Sequence, residues 1–334
     1  MRRRPRWGLR LVGLLVLLGG VAAGLALGGV FDAAGNGVAA KAPARTVQRL
    51  DPPLPAEGAQ REVGPLPEPA GASRVDLSQP ALLSGLRLHA GPKAGLAFDL
   101  ADGSVLWRHN ATTVRPIASL TKLMTALLAV ERFSPRQTVR IPRAADQVGG
   151  SRMAGLKPGR RVRAEVLLKG LLISSSNNAA VALAVAGAGS ERAWVALMNK
   201  RAKLLGLTCT HYADPDGLDR RNRSCPADLA AIAMRAMNEP RITKIARKRY
   251  ARVWPGSGKK LTLRTTNHLL RDRYPGAIGL KTGFTNLAGF CLVAIVQRGA
   301  KRIGIVVLGS KDSFGAARRL ARAAVHLGVL PKAT

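Results

Sequence analysis

Pro116-Ile117-Ala118-Ser119-Leu120-Thr121-Lys122-Leu123-Met124-Thr125-Ala126-Leu127-Leu128 is the stretch on which the reading of this chain turns. Pro116 interrupts whatever precedes it, and Leu123, Leu127 and Leu128 recur at helical spacing. The segment therefore predicts a helix with Ser119 in its first turn. Ser119 and Lys122 stand three residues apart and share one helix face. A serine hydroxyl attacks a carbonyl effectively only when a neighbouring base takes its proton. A lysine is such a base only where desolvation or a second cation brings its pKa towards neutrality. The helix N-terminus adds N–H donors for the oxyanion of an acyl-transfer intermediate.

Alone, the pattern is weak. Ser-x-x-Lys arises about once by chance in a chain of this length at average usage. Ser257-Gly258-Lys259-Lys260 repeats it in a Gly- and Lys-rich stretch without apolar periodicity. Context has to separate the two.

The chain has 334 residues and a formal net charge of +34. Its length allows one large or two medium domains, and its 47% hydrophobic content suffices for a buried core. The excess of cations bears on partners rather than on fold: nucleic acid, an anionic membrane surface or an anionic extracellular polymer. No basic recognition helix, zinc-finger spacing or interleaved aromatics occurs, and aromatics make up 4%. No specific nucleic-acid partner is therefore expected. The three cysteines, Cys209, Cys225 and Cys291, are too few for a disulfide scaffold and lack metal-ligand spacing. Cys291 sits in the apolar run Phe290–Val296 and reads as a core residue. Cys209 and Cys225 pair only if the chain is exported.

Export is what the N-terminus predicts. Arg2, Arg3, Arg4, Arg6 and Arg10 precede an uncharged apolar run from Leu11 to Phe31. Residues 1–32 thus read as a basic n-region with a transmembrane anchor or a cleaved signal peptide. Residues 33–78, rich in Pro, Ala and Gly, read as a semi-extended linker. The globular part begins near Val75, and residues 79–330 are assigned to the catalytic domain. Gly95–Leu100 and Val105–Trp107 around Asp102-Gly103 predict a hairpin. Helices are expected at 164–172, 191–205, 228–237 and 315–327, and strands at 290–297 and 302–308. Strands at both ends of the domain with helices between them suggest one sheet completed by the two termini, with a helical insert.

Two more polar clusters interrupt apolar surroundings. Ser175-Ser176-Asn177 lies between two hydrophobic helical runs, where a helix cap is the ordinary explanation. Gly279-Leu280-Lys281-Thr282-Gly283-Phe284-Thr285 leads into the Phe290 strand, where a turn is the ordinary explanation. Taken together, Ser-x-x-Lys, Ser-x-Asn and Lys-Thr-Gly in this order form the signature set of penicillin-binding proteins and serine β-lactamases. The surrounding residues sharpen the match: Pro116–Thr125, Gly170–Ala180, Asp214-Pro215-Asp216-Gly217-Leu218 and Gly279–Asn286. The chain resembles the low-molecular-mass serine-type D-alanyl-D-alanine carboxypeptidases, a family that also contains D,D-endopeptidases, from about Leu96 to Leu308.

The resemblance implies an α/β (α+β) fold like that of penicillin-binding proteins and serine β-lactamases: an antiparallel sheet flanked by helices, plus a mostly helical subdomain. It implies that Ser119 forms an acyl-enzyme on the penultimate D-Ala of a peptidoglycan stem peptide. Lys122, neutral because of Lys281 and a dry site, takes the Ser119 proton. Ser175 relays a proton to the leaving amine, and Asn177 holds Lys122 and the substrate amide. Lys281 offers a cation to the terminal carboxylate, Thr282 a hydroxyl, and Gly283 room for a peptide along the strand edge. The N–H groups of Ser119 and Phe284 form the oxyanion hole. No metal or organic cofactor is required, and β-lactams are expected as covalent inhibitors.

The chain departs from the family pattern at Ser176, where many relatives have Gly, and at Asn178, where many have Asp. Ser176-Asn177-Asn178 also satisfies Ser-x-Asn; Ser175 and Asn177 are preferred because Asn178-Ala179-Ala180 then starts the following helix. The scattered histidines make no zinc pair, and His268 reads as a structural residue near the site. Only Glu191 and Glu239 follow the Ser-x-Asn cluster, neither in a Glu-x-x-x-Asn setting. Slow β-lactam hydrolysis, and hence inhibition, is the expectation.

Overall fold

The computed structural model describes residues 74–88 and 91–332. The proposed anchor or signal, 1–32, and the linker up to residue 73 lie outside the described residues. Among the described residues no single helix is long and apolar enough to cross a membrane. Val75 and Leu77 pack against the main core, so the packed body takes in the last residues of the stretch assigned to the linker.

Strands β1 (Ala94–Asp99) and β2 (Val105–His109) form the expected hairpin. Three short ribbons follow: β3 (Arg115–Pro116) with β6 (Arg223–Ser224), β4 (Thr138–Arg140) with β5 (Arg161–Arg163), and β7 (Tyr250–Val253) with β8 (Leu261–Arg264). Three long strands close the fold: β9 (Ala277–Thr285), β10 (Gly289–Arg298) and β11 (Lys301–Ser310). The central sheet is five-stranded and antiparallel, in the order β2-β1-β11-β10-β9. The first and last strands of the described body thus build one sheet, and among the described residues β9 pairs on one side only.

Alternate residues of the sheet point to opposite faces. Leu96, Phe98, Val293, Ile295, Val306 and Leu308 join the helical core. Ala97, Leu292, Ala294, Val296, Ile305 and Val307 join a second cluster with Ala316, Ala317, Leu320 and Ala321. The second face is covered by the C-terminal helix Ser313–His326. Burial on both faces is why the last strands read as unbroken apolar runs and not as alternating ones.

The helical part contains α1 (Lys122–Arg132), the short α2 (Ala144–Gln147), α3 (Ala164–Ile173), α4 (Asn177–Ala188) and α5 (Glu191–Leu204). It continues with α6 (Pro226–Met237), α7 (Pro240–Ala246) and the short α8 (His268–Arg271). Helix α1 is buried from Lys122 to Ala129, and the two polar side chains in that stretch, Lys122 and Thr125, are hydrogen-bonded. The sequence placed the start of α6 at Asp228; it begins at Pro226, whose missing N–H costs nothing at the first helical position.

Candidate active site

Ser119 is not in the first turn of an α-helix, as the sequence suggested. It lies in a single turn of tighter 3-10 helix, Ala118–Thr121, that leads into α1 at Lys122. Ala118 takes a left-handed backbone, φ 47°, at the entry. Such a turn costs conformational energy and persists only where its surroundings hold it. Those surroundings are on both sides. A Cβ on Gly283 would stand 3.0 Å from the Ile117 carbonyl oxygen and 3.2 Å from the Ser119 nitrogen, so β9 runs tightly against the turn. The glycine of Lys-Thr-Gly is thus explained by the approach of the strand to the nucleophile. On the other side, a Cβ on Gly217 would overlap Ala118, at 2.1 Å from its carbonyl oxygen.

Two groups touch the Ser119 hydroxyl, the Lys122 amine and the Asp216 carbonyl, and further polar groups hold the amine. Lys122 Nζ donates to Ser119 Oγ at 3.0 Å and to Asn177 Oδ1 at 2.6 Å, and also to the carbonyl of Asp216. Ser119 Oγ lies 3.4 Å from the same carbonyl. Asn177 Nδ2 donates to Gly149 O at 2.8 Å, which fixes the amide. From the sheet side, Lys281 Nζ donates to Ser175 Oγ at 2.9 Å and to Thr282 O at 2.7 Å.

The structure removes the register ambiguity of Ser-x-Asn. Asn178 does not face the cleft: its Oδ1 accepts from Met153 N at 2.9 Å and its Nδ2 donates to Met153 O at 2.8 Å. Ser176 occupies the N-cap position of α4, but its hydroxyl pairs with Ser174 Oγ at 2.9 Å instead of capping the helix. Ser175, at φ 58°, is turned out of the helical path and reaches Lys281. The second Ser-x-x-Lys is elsewhere: Ser257 Oγ donates to Gly155 O at 2.7 Å in a loop. His268 stacks on Phe314 with ring centroids 4.6 Å apart, a packing contact.

Burial governs the electrostatics. Lys122 is fully covered, and desolvation brings its pKa down to about 8; the carboxylates of Asp216 and Asp214 pull it back up. Lys281 is also covered, and burial, aided by the Lys122 charge, holds it well below the ordinary lysine range. Repulsion between two cations is mutual in sign, so a charge on either amine disfavours a charge on the other. The sequence reading has Lys281 offer a cation to the terminal carboxylate. Its amine is enclosed by Ser175 and Thr282, so its charge acts through them, while of the four residues Lys281 to Phe284 it is Thr282 and Phe284 that are accessible. Phe284 is exposed and packs on Phe290 at 4.6 Å between centroids.

Two contributions are not given by the sequence reading. The first is what the loop 214–222, whose Asp214–Leu218 stretch the sequence marked without a role, does for Lys122. Asp214 accepts from the N–H groups of Asp216 (2.9 Å), Gly217 (2.5 Å) and Asp219 (2.5 Å), and Thr125 Oγ1 donates to Pro215 O at 2.7 Å. The loop is closed at its base by a Cys209–Cys225 disulfide, 16 residues apart. Burial pushes the Asp216 carboxyl up to about 6, against the stabilising charge of Lys122. The second is Thr266, whose Oγ1 lies 2.6 Å from Thr282 Oγ1. Gly217, set after two aspartates and a proline, signalled the turn, but a backbone carbonyl that serves a lysine leaves no mark in a sequence.

The fold and the buried serine–lysine geometry define a serine acyl-transfer protein built on the penicillin-binding-protein fold. The chain belongs to the D-alanyl-D-alanine carboxypeptidase family, which matches residues 86–312. It is 35% identical over 224 residues to the D-alanyl-D-alanine carboxypeptidase DacF of Bacillus subtilis, a match covering 65% of this chain and 57% of that protein. It is 32% identical to a D-alanyl-D-alanine endopeptidase of Escherichia coli, over 73% of this chain and 76% of that protein. The crystal structure of a D-alanyl-D-alanine carboxypeptidase from Mycobacterium tuberculosis superposes with a TM-score of 0.66 at 33% identity, covering 75% of this chain and 96% of the other.

Proposed function

We propose that this protein is a serine-type D-alanyl-D-alanine carboxypeptidase that removes the terminal D-Ala of peptidoglycan stem peptides and is acylated by penicillins. The observation that carries the reading is the Lys122 amine, fully buried, 3.0 Å from Ser119 Oγ, with a pKa near 8. An amine of that kind is neutral often enough near neutral pH to take the serine proton. Ser119 Oγ attacks the carbonyl carbon, and its proton passes to Lys122 Nζ. The N–H groups of Ser119 and Phe284 hold the oxyanion. Ser175 carries a proton to the leaving amine, and water then releases the acyl group.

The two lysines give the reaction an order. A substrate carboxylate seated at Thr282 favours the charged form of Lys281. That cation in turn disfavours the charged form of Lys122 and readies it as the base. Glu191 makes no hydrogen bond with Ser119 or Lys122, and Glu239 pairs with Arg235 at 3.4 Å, so neither is poised to activate a deacylating water. Slow release of penicillin follows. The basic N-terminus and the disulfide both support an exported protein, anchored in the membrane facing the wall or secreted after cleavage. The positive charge suits a wall rich in anionic polymer.

Intact-mass analysis after penicillin exposure tests the reading. One covalent adduct is expected on the native chain and none on Ser119→Ala; an unmodified native chain overturns it. Cleavage of cross-linked dimers with the same site is the second reading, favoured by the endopeptidase relative. Comparing pentapeptide with dimer as substrate separates the two.

A further inference from the structure

The ribbon β7–β8 and helix α8 enclose an open pocket of about 330 Å³ lined by Arg249, Tyr250, Arg264, Thr265 and Arg271. Tyr250 and Arg264 are cross-strand partners on the outer face of the ribbon, while Ala251 and Leu263 point to the core. The backbone that shapes it is fixed: Thr265 N donates to Arg249 O at 2.8 Å, and Asn267 Nδ2 ties the start of α8 to Gly279 O of β9 at 3.0 Å. Arg271 shares the exposed Asp272 at 3.2 Å. Among the described residues no carboxylate pairs with Arg249 or Arg264. The pocket therefore presents guanidinium groups that lack a protein counter-ion, in a volume that suits one amino-acid-sized group.

Its position relative to the cleft gives it a direction. In the reading above, the scissile carbonyl lies at the N–H of Phe284 and the terminal carboxylate lies at Thr282. The leaving residue thus extends along β9 towards its N-terminal half. Beyond Thr282 the next group is Thr266, at 2.6 Å between hydroxyl oxygens, and the residue before it, Thr265, lines the pocket. A side chain or a further stem on the leaving side passes Thr266 and arrives among the arginines.

We infer that the Arg249–Arg264–Arg271 pocket is a subsite for a second carboxylate carried by the leaving half of the substrate. This deepens, and rests on, the D-alanyl-D-alanine hydrolase reading. The subsite selects leaving groups more acidic than D-Ala itself, as in a residue that carries a further carboxylate besides the one seated at Thr282.

The test uses the purified protein and three peptides with the same acyl half, ending in D-Ala-D-Ala, D-Ala-D-Glu and D-Ala-D-Gln, scored by release of the last residue. The D-Glu peptide is expected to have a KM about three- to tenfold below that of its neutral D-Gln isostere, with similar kcat, since exposed ion pairs are individually modest. The double variant Arg249→Gln/Arg264→Gln should erase that difference, and so should high salt. D-Ala-D-Ala turnover and penicillin acylation should not change in the variant, which also shows that it is folded. Equal KM values for D-Glu and D-Gln in the native protein, or a preference that survives the double substitution, overturn the subsite. A protein that turns over none of the three and takes no penicillin overturns the hydrolase reading itself, and the subsite with it.

Discussion

Two serine–lysine pairs face each other across the cleft, and their chemistry is alike while their settings differ. Ser119 and Lys122 are three residues apart on one turn; Ser175 and Lys281 are 106 apart and meet only through the fold. Both amines are buried and both pKa values are depressed. Lys122 has the Asp214 and Asp216 carboxylates to favour its charge, whereas the shift of Lys281 comes from burial and from Lys122 alone, both lowering it. The loop 214–222 is therefore what sets the two amines apart. It leaves Lys122 near 8, where it can both take and give a proton, and leaves Lys281 to respond to what binds at Thr282.

If the pairs hold different roles, exchanging each amine for an amide must give different kinetics. Lys122→Gln removes the base and should slow penicillin acylation on the order of 10³-fold, within the range for general-base catalysis. Lys281→Gln should cost on the order of 10–100-fold, with the larger share in KM for a carboxylate-bearing peptide, because it weakens binding of that end. Stopped-flow acylation and peptide turnover measure both. Equal losses divided equally between kcat and KM would erase the distinction.

The loop itself can be loosened. Cysteine-to-serine changes at Cys209 and Cys225 together should lower unfolding stability by ~3 kcal/mol, the chain-entropy value for a loop of about this length. They should also slow acylation about tenfold, because misplacing a bound group by small distances is costly in rate. The rate loss has to appear at temperatures where the variant is folded, checked by circular dichroism. A folded variant acylating at the native rate would show that the disulfide serves stability alone.

The smallest effect isolates charge. The Asp216 carboxylate favours protonated Lys122, so Asp216→Asn removes a group that raises the amine's pKa. The base then becomes neutral at lower pH. Acylation by the native protein is expected to rise with pH through about 8 as Lys122 loses its proton, and in the variant to rise at a pH lower by a fraction of a unit to about one unit. A shift in the alkaline direction contradicts the assignment of Lys122 as base. The Asp216 carbonyl remains in place, so geometry is spared.

Much of this was legible in the chain before any coordinates. Apolar spacing gave α3, α5 and the C-terminal helix to within a residue or two, because those segments carry their burial pattern locally. The unbroken apolar runs near the C-terminus gave β10 and β11. The eight residues proposed for the site were nameable because Ser-x-x-Lys, Ser-x-Asn and Lys-Thr-Gly each demand particular residue types. The tight turn at Ser119 was missed, since its geometry is imposed by Gly283 and Gly217 pressing from outside it. Thr266 was missed because nothing near it in the sequence shows that it will meet Thr282.

By itself the sequence determined which chemical groups are present and which segments must be buried, because side-chain chemistry and hydrophobic period are local properties. Only the tertiary structure decided which of three adjacent polar residues faces the cleft, which lysine has carboxylates beside it, and that a disulfide closes the loop beneath the nucleophile. Those outcomes depend on solvent exclusion and on distances between groups far apart in the chain, and both come into being only when the sheet and the helices pack together.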